Sequence, residues 1–134
     1  MHQINNVIKV TSGSTPSVAN FIDKLYKKII KAGTYKASSI KIAEAAKVIE
    51  NSQRDLNIAF VNELTNIFDK LNLDTNEILK VASTKWNFLN FKPGLVGGHC
   101  LPVDPHYFSS IARKNNFRTK IVLAGRKMND YMLI

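Results

Sequence analysis

Apolar residues recur at helical spacing over most of this chain. Val18, Phe21, Leu25 and Ile29 follow one another at steps of three and four, which predicts one face of an amphipathic helix. Thr15 can cap that helix, Pro16 suits its first position and Gly33 closes it. After Thr34-Tyr35-Lys36-Ala37, Ser38 or Ser39 can cap a second helix that meets no Gly or Pro until about Leu71. At about 1.5 Å per residue it spans roughly 50 Å. Ile49, Leu56, Phe60, Leu64, Ile67 and Leu71 form its main stripe. Ile42, Val48, Ile58 and Val61 put apolar surface on other sides, so burial on more than one face is expected. Such a helix reads as the spine of a larger assembly or half of a dimer interface.

Shorter elements complete the pattern. Asn5-Asn6-Val7-Ile8-Lys9-Val10 predicts a strand, ended by the turn Thr11 to Ser14. One strand makes no sheet, so it either hangs on something outside this chain or is misread. Asp74-Thr75-Asn76-Glu77 resembles a capping box and opens a helix to about Ser83. A loop over 84–103 follows; Asp104-Pro105 then opens a helix that Asn115-Asn116 end. For 118–130 the pattern does not decide between helix and linker. The expected fold is mainly α: a long spine helix, shorter packed helices and one residual N-terminal strand.

Composition narrows the class. The 134 residues, 45% hydrophobic, fit one domain with a real core. No run reaches the ~18 apolar residues of a membrane span, and the first ten residues lack the layout of a secretory signal. A single cysteine makes no internal disulfide, which fits a cytoplasmic location. The net charge of +9 points to an anionic partner. Basic residues concentrate in 24–47 and 113–127, yet no nucleic-acid module is present and no aromatics interleave with them. The remaining readings are a solvated face or phosphate-bearing small molecules. Neither nucleic acid nor membrane is an expected partner.

The one thiol, Cys100, lies in Phe91-Lys92-Pro93-Gly94-Leu95-Val96-Gly97-Gly98-His99-Cys100-Leu101-Pro102-Val103-Asp104-Pro105. A lone cysteine is commonly a small core residue. The glycines around this one, however, allow close backbone approach to a ligand. A nucleophilic thiol needs a cation or donor nearby, since a free one of pKa ~8.5 is mostly protonated at neutral pH. Lys47 and Asn51, one helical turn apart, can supply a charge and a neutral hydrogen bond to an oxyanion, or can simply face solvent. Asp104 can cap its helix, handle protons, or do both. His99, Cys100, Asp104 and His106 match no common zinc spacing, so no metal is expected, and Gly94 to His99 lacks the Lys-Ser/Thr ending of a phosphate loop.

Residues 43–64 (Ala43-Glu44-Ala45-Ala46-Lys47 through Val61-Asn62-Glu63-Leu64) and the thiol loop at 91–105 together resemble the central part of the UDP-glucose/GDP-mannose dehydrogenase family. The wording of 32–51 and of Thr84-Lys85-Trp86-Asn87-Phe88 looks most like the branch acting on UDP-N-acetylhexosamines for surface polysaccharides. The resemblance implies oxidation of a sugar C6 alcohol to a carboxylate by two hydride transfers to NAD. Cys100 would form a thiohemiacetal and then a thioester; Lys47 and Asn51 would stabilise the oxyanion, and Asp104 would manage protons and water. Leu89, Asn90, Phe91, Lys92, Pro93 and Gly97 would lie along the UDP-sugar, and the 39–71 helix would form a homodimer. UDP-glucose members usually place an arginine where this chain reads Thr84-Lys85. On this reading residues 1–15 are the last strand and turn of an N-terminal dinucleotide-binding domain, and 16–134 are the central helical domain. The NAD pocket and the nucleotide-sugar half would lie outside the chain, so the chain by itself is expected to be inactive. The alternative is a catalytically inactive dimerisation fragment.

Overall fold

A computed structural model describes residues 4–132. Among them are five helices, two short strands and a short 3-10 turn at Ile4–Asn6. The mainly helical architecture is the expected one. The helices are α1 (Pro16–Lys27), α2 (Ile40–Lys70), α3 (Thr75–Ala82), α4 (Asp104–Lys114) and α5 (Ile121–Tyr131). The chain divides into two compact units between Lys47 and Val48, within α2.

The first unit is a strand–helix–strand arrangement. The N-terminal strand β1 (Lys9–Thr11) is shorter than its apolar run and does have a partner: β2 (Thr34–Lys36) pairs with it in parallel, Lys9 opposite Thr34 and Thr11 opposite Lys36. Three residues of Thr-Tyr-Lys are too short for a period-two signal, which is why the pattern gives only a connection there. Thr15 caps α1 through Oγ1, which accepts from the Val18 N–H at 3.2 Å, and Pro16 takes the first position. The helix stops at Lys27, before Gly33, and two turns bring the chain back so that Ile30 is buried and Ala32 N–H bonds the Asn5 carbonyl at 3.0 Å. Val18, Phe21, Leu25 and Ile29 are all exposed within this unit. What α1 buries against the strands is Asp23, whose Oδ1 accepts from Thr11 Oγ1 at 3.0 Å and Thr34 Oγ1 at 2.6 Å. Lys27 pairs with its other oxygen at 2.8 Å. Hydrogen bonds from Lys27 and Thr34 hold this carboxyl down to about 2, from an ordinary 3.8.

The second unit is helical, and α2 enters it from the first. Ser39, in the first unit, starts α2, its Oγ accepting from the Ile42 N–H at 3.3 Å, as the capping pattern requires. Asn72, with φ 56°, ends it, and the Leu73 N–H reaches back to the Phe68 carbonyl at 2.9 Å. The same device ends α4, where Asn116 has φ 59° and the Phe117 N–H bonds the Ala112 carbonyl at 2.9 Å. Asp74 caps α3, accepting from the N–H groups of Asn76 and Glu77. Residues 121–131, undecided by pattern, form α5.

Most of the buried residues of α2 are polar or small. Asn51, Ser52, Asp55, Ala59, Val61 and Asn62 are buried, whereas Ile49, Phe60, Ile67 and Leu71 of the apolar stripe are exposed. Of the apolar residues expected to be buried on other sides, Val61 is buried, Val48 and Ile58 are half-buried and Ile42 is exposed. Gly125 allows α5 to approach α2: a Cβ there would come 2.5 Å from Leu56 Cδ2, too close without displacement. That proximity lets α5 present Arg126 and Asn129 to α2.

Candidate active site

Asn51 and Asp104 meet directly. Asn51 is nearly fully buried on α2, and its Nδ2 donates to Asp104 Oδ2 at 2.6 Å across 53 residues of sequence. Asp104 is the first residue of α4, not its cap; the capping position is Val103, which makes no side-chain cap bond. The carboxylate is therefore turned to Asn51 and not to the helix N-terminus, which corrects the capping expectation. Cys100 stands one turn earlier. Its carbonyl accepts from the Val103 N–H at 3.1 Å and from the Asp104 N–H at 2.9 Å, so the thiol residue and the carboxylate residue belong to one hydrogen-bonded turn. The thiol is free and exposed, not a core filler. Lys47 occupies α2 one turn before Asn51, as the last residue of the first unit.

The segment before the thiol has little regular structure. Leu89, Asn90, Lys92 and Gly97 are exposed, while Phe91 and Pro93 are half-buried. Two anchors tie it down. Val96 is buried, and Gly94 is gripped through its backbone by Asn62: the Gly94 N–H donates to Asn62 Oδ1 at 2.8 Å, and Asn62 Nδ2 donates to the Gly94 carbonyl at 3.0 Å.

Behind Asn62 lies a buried polar cluster that the sequence reading does not identify. Asn62 Nδ2 also donates to Asn129 Oδ1 at 2.9 Å. Asn129 Nδ2 donates to the Asp55 carbonyl at 2.9 Å and to Asp55 Oδ1 at 2.8 Å. Arg126 pairs with Asp55 through Nη1 and with Asp130 through Nη2, the latter at 2.8 Å. Asp55 Oδ2 is buried without a hydrogen-bond partner. Burial pushes the Asp55 carboxyl above its ordinary range, against the opposing pull of Asn129 and Arg126. One signal was available: Asn51, Asp55 and Asn62, with the small Ala59 between them, fall at helical spacing on α2.

The turn after β1 does not fit NAD. Ser12-Gly13-Ser14 has one glycine, and a Cβ on it would lie 2.4 Å from the Ala19 nitrogen. That glycine serves strand–helix contact, and the turn lacks the repeated glycines of a dinucleotide-binding fingerprint. No cluster of three metal-ligating side chains occurs among the described residues. No helix among them is long and apolar enough to cross a membrane.

Comparison with known proteins decides the family. The pattern of the UDP-glucose/GDP-mannose dehydrogenase family, central domain, matches residues 41–131. This chain belongs to that family. A UDP-N-acetyl-D-glucosamine 6-dehydrogenase of Pseudomonas aeruginosa is 59% identical over 131 residues, covering 98% of this chain and 31% of that protein. Protein CapL of Staphylococcus aureus is 56% identical over 132 residues, with the same coverage. Among solved structures, a UDP-D-ManNAc dehydrogenase from Pyrococcus horikoshii superposes with a TM-score of 0.82 at 28% identity, over 96% of this chain and 30% of that one. The chain thus spans about a third of the length of these dehydrogenases. Within the family, the thiol loop and the middle of α2 both lie inside the matched central domain.

Proposed function

We propose that this chain supplies the thiol-bearing centre of an NAD-dependent UDP-N-acetylhexosamine 6-dehydrogenase serving surface-polysaccharide synthesis. The observation that carries the reading is the Asn51–Asp104 bond at 2.6 Å, fixed to the turn that bears Cys100. NAD, held outside the described residues, would be the hydride acceptor. The chain's own part begins when the C6 carbon is an aldehyde. The Cys100 sulfur adds to that carbon, a C–S bond forms, and the carbonyl pair moves onto oxygen. An amide nitrogen carries two hydrogens; with one engaged by Asp104, the other is available to that oxyanion. The family resemblance assigns Lys47, one turn before Asn51 on α2, to supply charge. Once the carbon has reached the thioester level, water cleaves it: Asp104 accepts a proton from the water, the C–S bond breaks and the thiol is released with the carboxylate.

The UDP-N-acetylhexosamine assignment rests on the names of the similar proteins, among them the UDP-N-acetyl-D-glucosamine 6-dehydrogenase and the UDP-D-ManNAc dehydrogenase named above. Leu89 to Pro93 and Gly97 would line the nucleotide sugar, and the exposure of Leu89, Asn90, Lys92 and Gly97 leaves these four accessible to it. Exposed Ile49, Phe60, Ile67 and Leu71 on α2 favour a homodimer through 39–71. The test is NAD reduction by UDP-N-acetylglucosamine with the flanking nucleotide-binding domains present. Reduction that is lost in Cys100→Ser supports the reading. No reduction in the wild-type protein would leave only the dimerisation fragment.

A further inference from the structure

We propose that Asn62 is a positioning residue for substrate binding: it sets the Leu89–Pro93 segment for the nucleotide sugar by fixing the Gly94 peptide groups. The proposal rests on the function proposed above. It follows from hydrogen-bond polarity. Asp55, when ionised, can only accept, so the side of Asn129 facing it must be the NH2, as observed at 2.8 and 2.9 Å. Asn129 therefore turns its carbonyl oxygen toward Asn62. That oxygen in turn needs a donor, which fixes the Asn62 NH2 toward it at 2.9 Å. With its NH2 so placed, Asn62 has its carbonyl oxygen left for the Gly94 N–H and a second hydrogen for the Gly94 carbonyl.

The direction of each amide is thus dictated by the carboxylate behind it, and the last member of the series is the loop backbone. Arg126 keeps that carboxylate in place from α5. The Asn62–Asn129 and Asn129–Asp55 bonds are buried, so water does not compete for them, while the two bonds to Gly94 are part-buried. The loop itself is exposed on both sides of Gly94, at Lys92 and Leu95, and lacks helix or strand bonds there. The Gly94 N–H belongs to the peptide with Pro93 and its carbonyl to the peptide with Leu95, so Asn62 holds both peptides that meet at Gly94, which orients the residues just before it.

The experiment compares wild type, Asn62→Ala and Asn62→Gln, each with the flanking nucleotide-binding domains present. It measures kcat and KM for UDP-N-acetylglucosamine, the dissociation constant by calorimetry, and hydrogen exchange at the Gly94 amide. Loss of the two part-buried hydrogen bonds to Gly94 is expected to raise KM and the dissociation constant about 10-fold in Asn62→Ala, with kcat within about 3-fold. Gly94 exchange should quicken in the same variant. Asn62→Gln, which keeps the amide but lengthens it, should raise KM while protecting Gly94 better than Ala does. A purely structural role lowers the folded, active fraction and so the apparent kcat, leaving KM and the dissociation constant alone. That result in either folded variant overturns the proposal, whichever of the two folds. If wild type binds the sugar nucleotide but does not oxidise it, the proposed function falls while the dissociation constants still decide this one. If wild type does not bind it at all, both fall.

Discussion

At Asn51 a buried amide and a carboxylate share one hydrogen bond, and the consequence for chemistry is a donor fixed in direction before any substrate arrives. Asn51→Ala is expected to lower kcat about 100-fold or more, the usual loss for one oxyanion donor, with a smaller change in KM; steady-state kinetics on the full enzyme check it. Arg126 makes a different kind of prediction. It is buried between Asp55 and Asp130, and Arg126→Met would strand the Asp55 carboxylate in a dry site. Breaking one side of such a pair is expected to cost about 3–5 kcal/mol, read as a lowered denaturant midpoint at neutral pH. These two residues differ in how visible they are in sequence. Asn51 and Asp104 sit inside contiguous motifs, next to residues whose chemistry explains them. Arg126 finds Asp55 71 residues away, and nothing local distinguishes it from the basic run around it. The same holds for Asn129, whose amide reads as an ordinary helix-surface residue until α5 is seen against α2.

Element boundaries were legible wherever a cap marks them. Thr15, Ser39 and Asp74 each bond an N–H of their own first turn, so local chemistry alone places three helix starts. The strand β2 escaped because three residues carry no periodicity, and its pairing with β1 is set by the intervening helix. The apolar stripes of α1 and α2 misled in one respect: periodicity finds a helix but does not say which side faces this chain's interior. In α1 the interior side is Asp23, bonded to both strands. Its carboxyl is depressed from 3.8 to about 2, so its contribution to stability is present above 3.8 and is lost as pH falls toward 2. Asp23→Asn should therefore lower stability at pH 6 and have a diminishing effect as pH falls through that window. Denaturant midpoints of both proteins at pH 6, 4, 3 and 2 test this; a difference that grows toward pH 2 would contradict it.

For the molecule as a whole, the family was legible from two motifs, while the fold alone would suit many functions. The matched region lies within 41–131, and relatives are about three times longer than this chain. Exposed Phe60 and Ile67 on α2 give a test of assembly: Phe60→Glu with Ile67→Glu should convert a dimer to a monomer by light scattering, with the helical circular dichroism retained. The covalent role of Cys100 is the central claim, and one measurement addresses it most directly. With the flanking nucleotide-binding domains present, NADH formed per UDP-N-acetylglucosamine consumed is counted spectrophotometrically in wild type and Cys100→Ser. The expected result is two NADH per sugar in wild type and no uronate from the variant. Uronate formed by Cys100→Ser at the wild-type rate would contradict it.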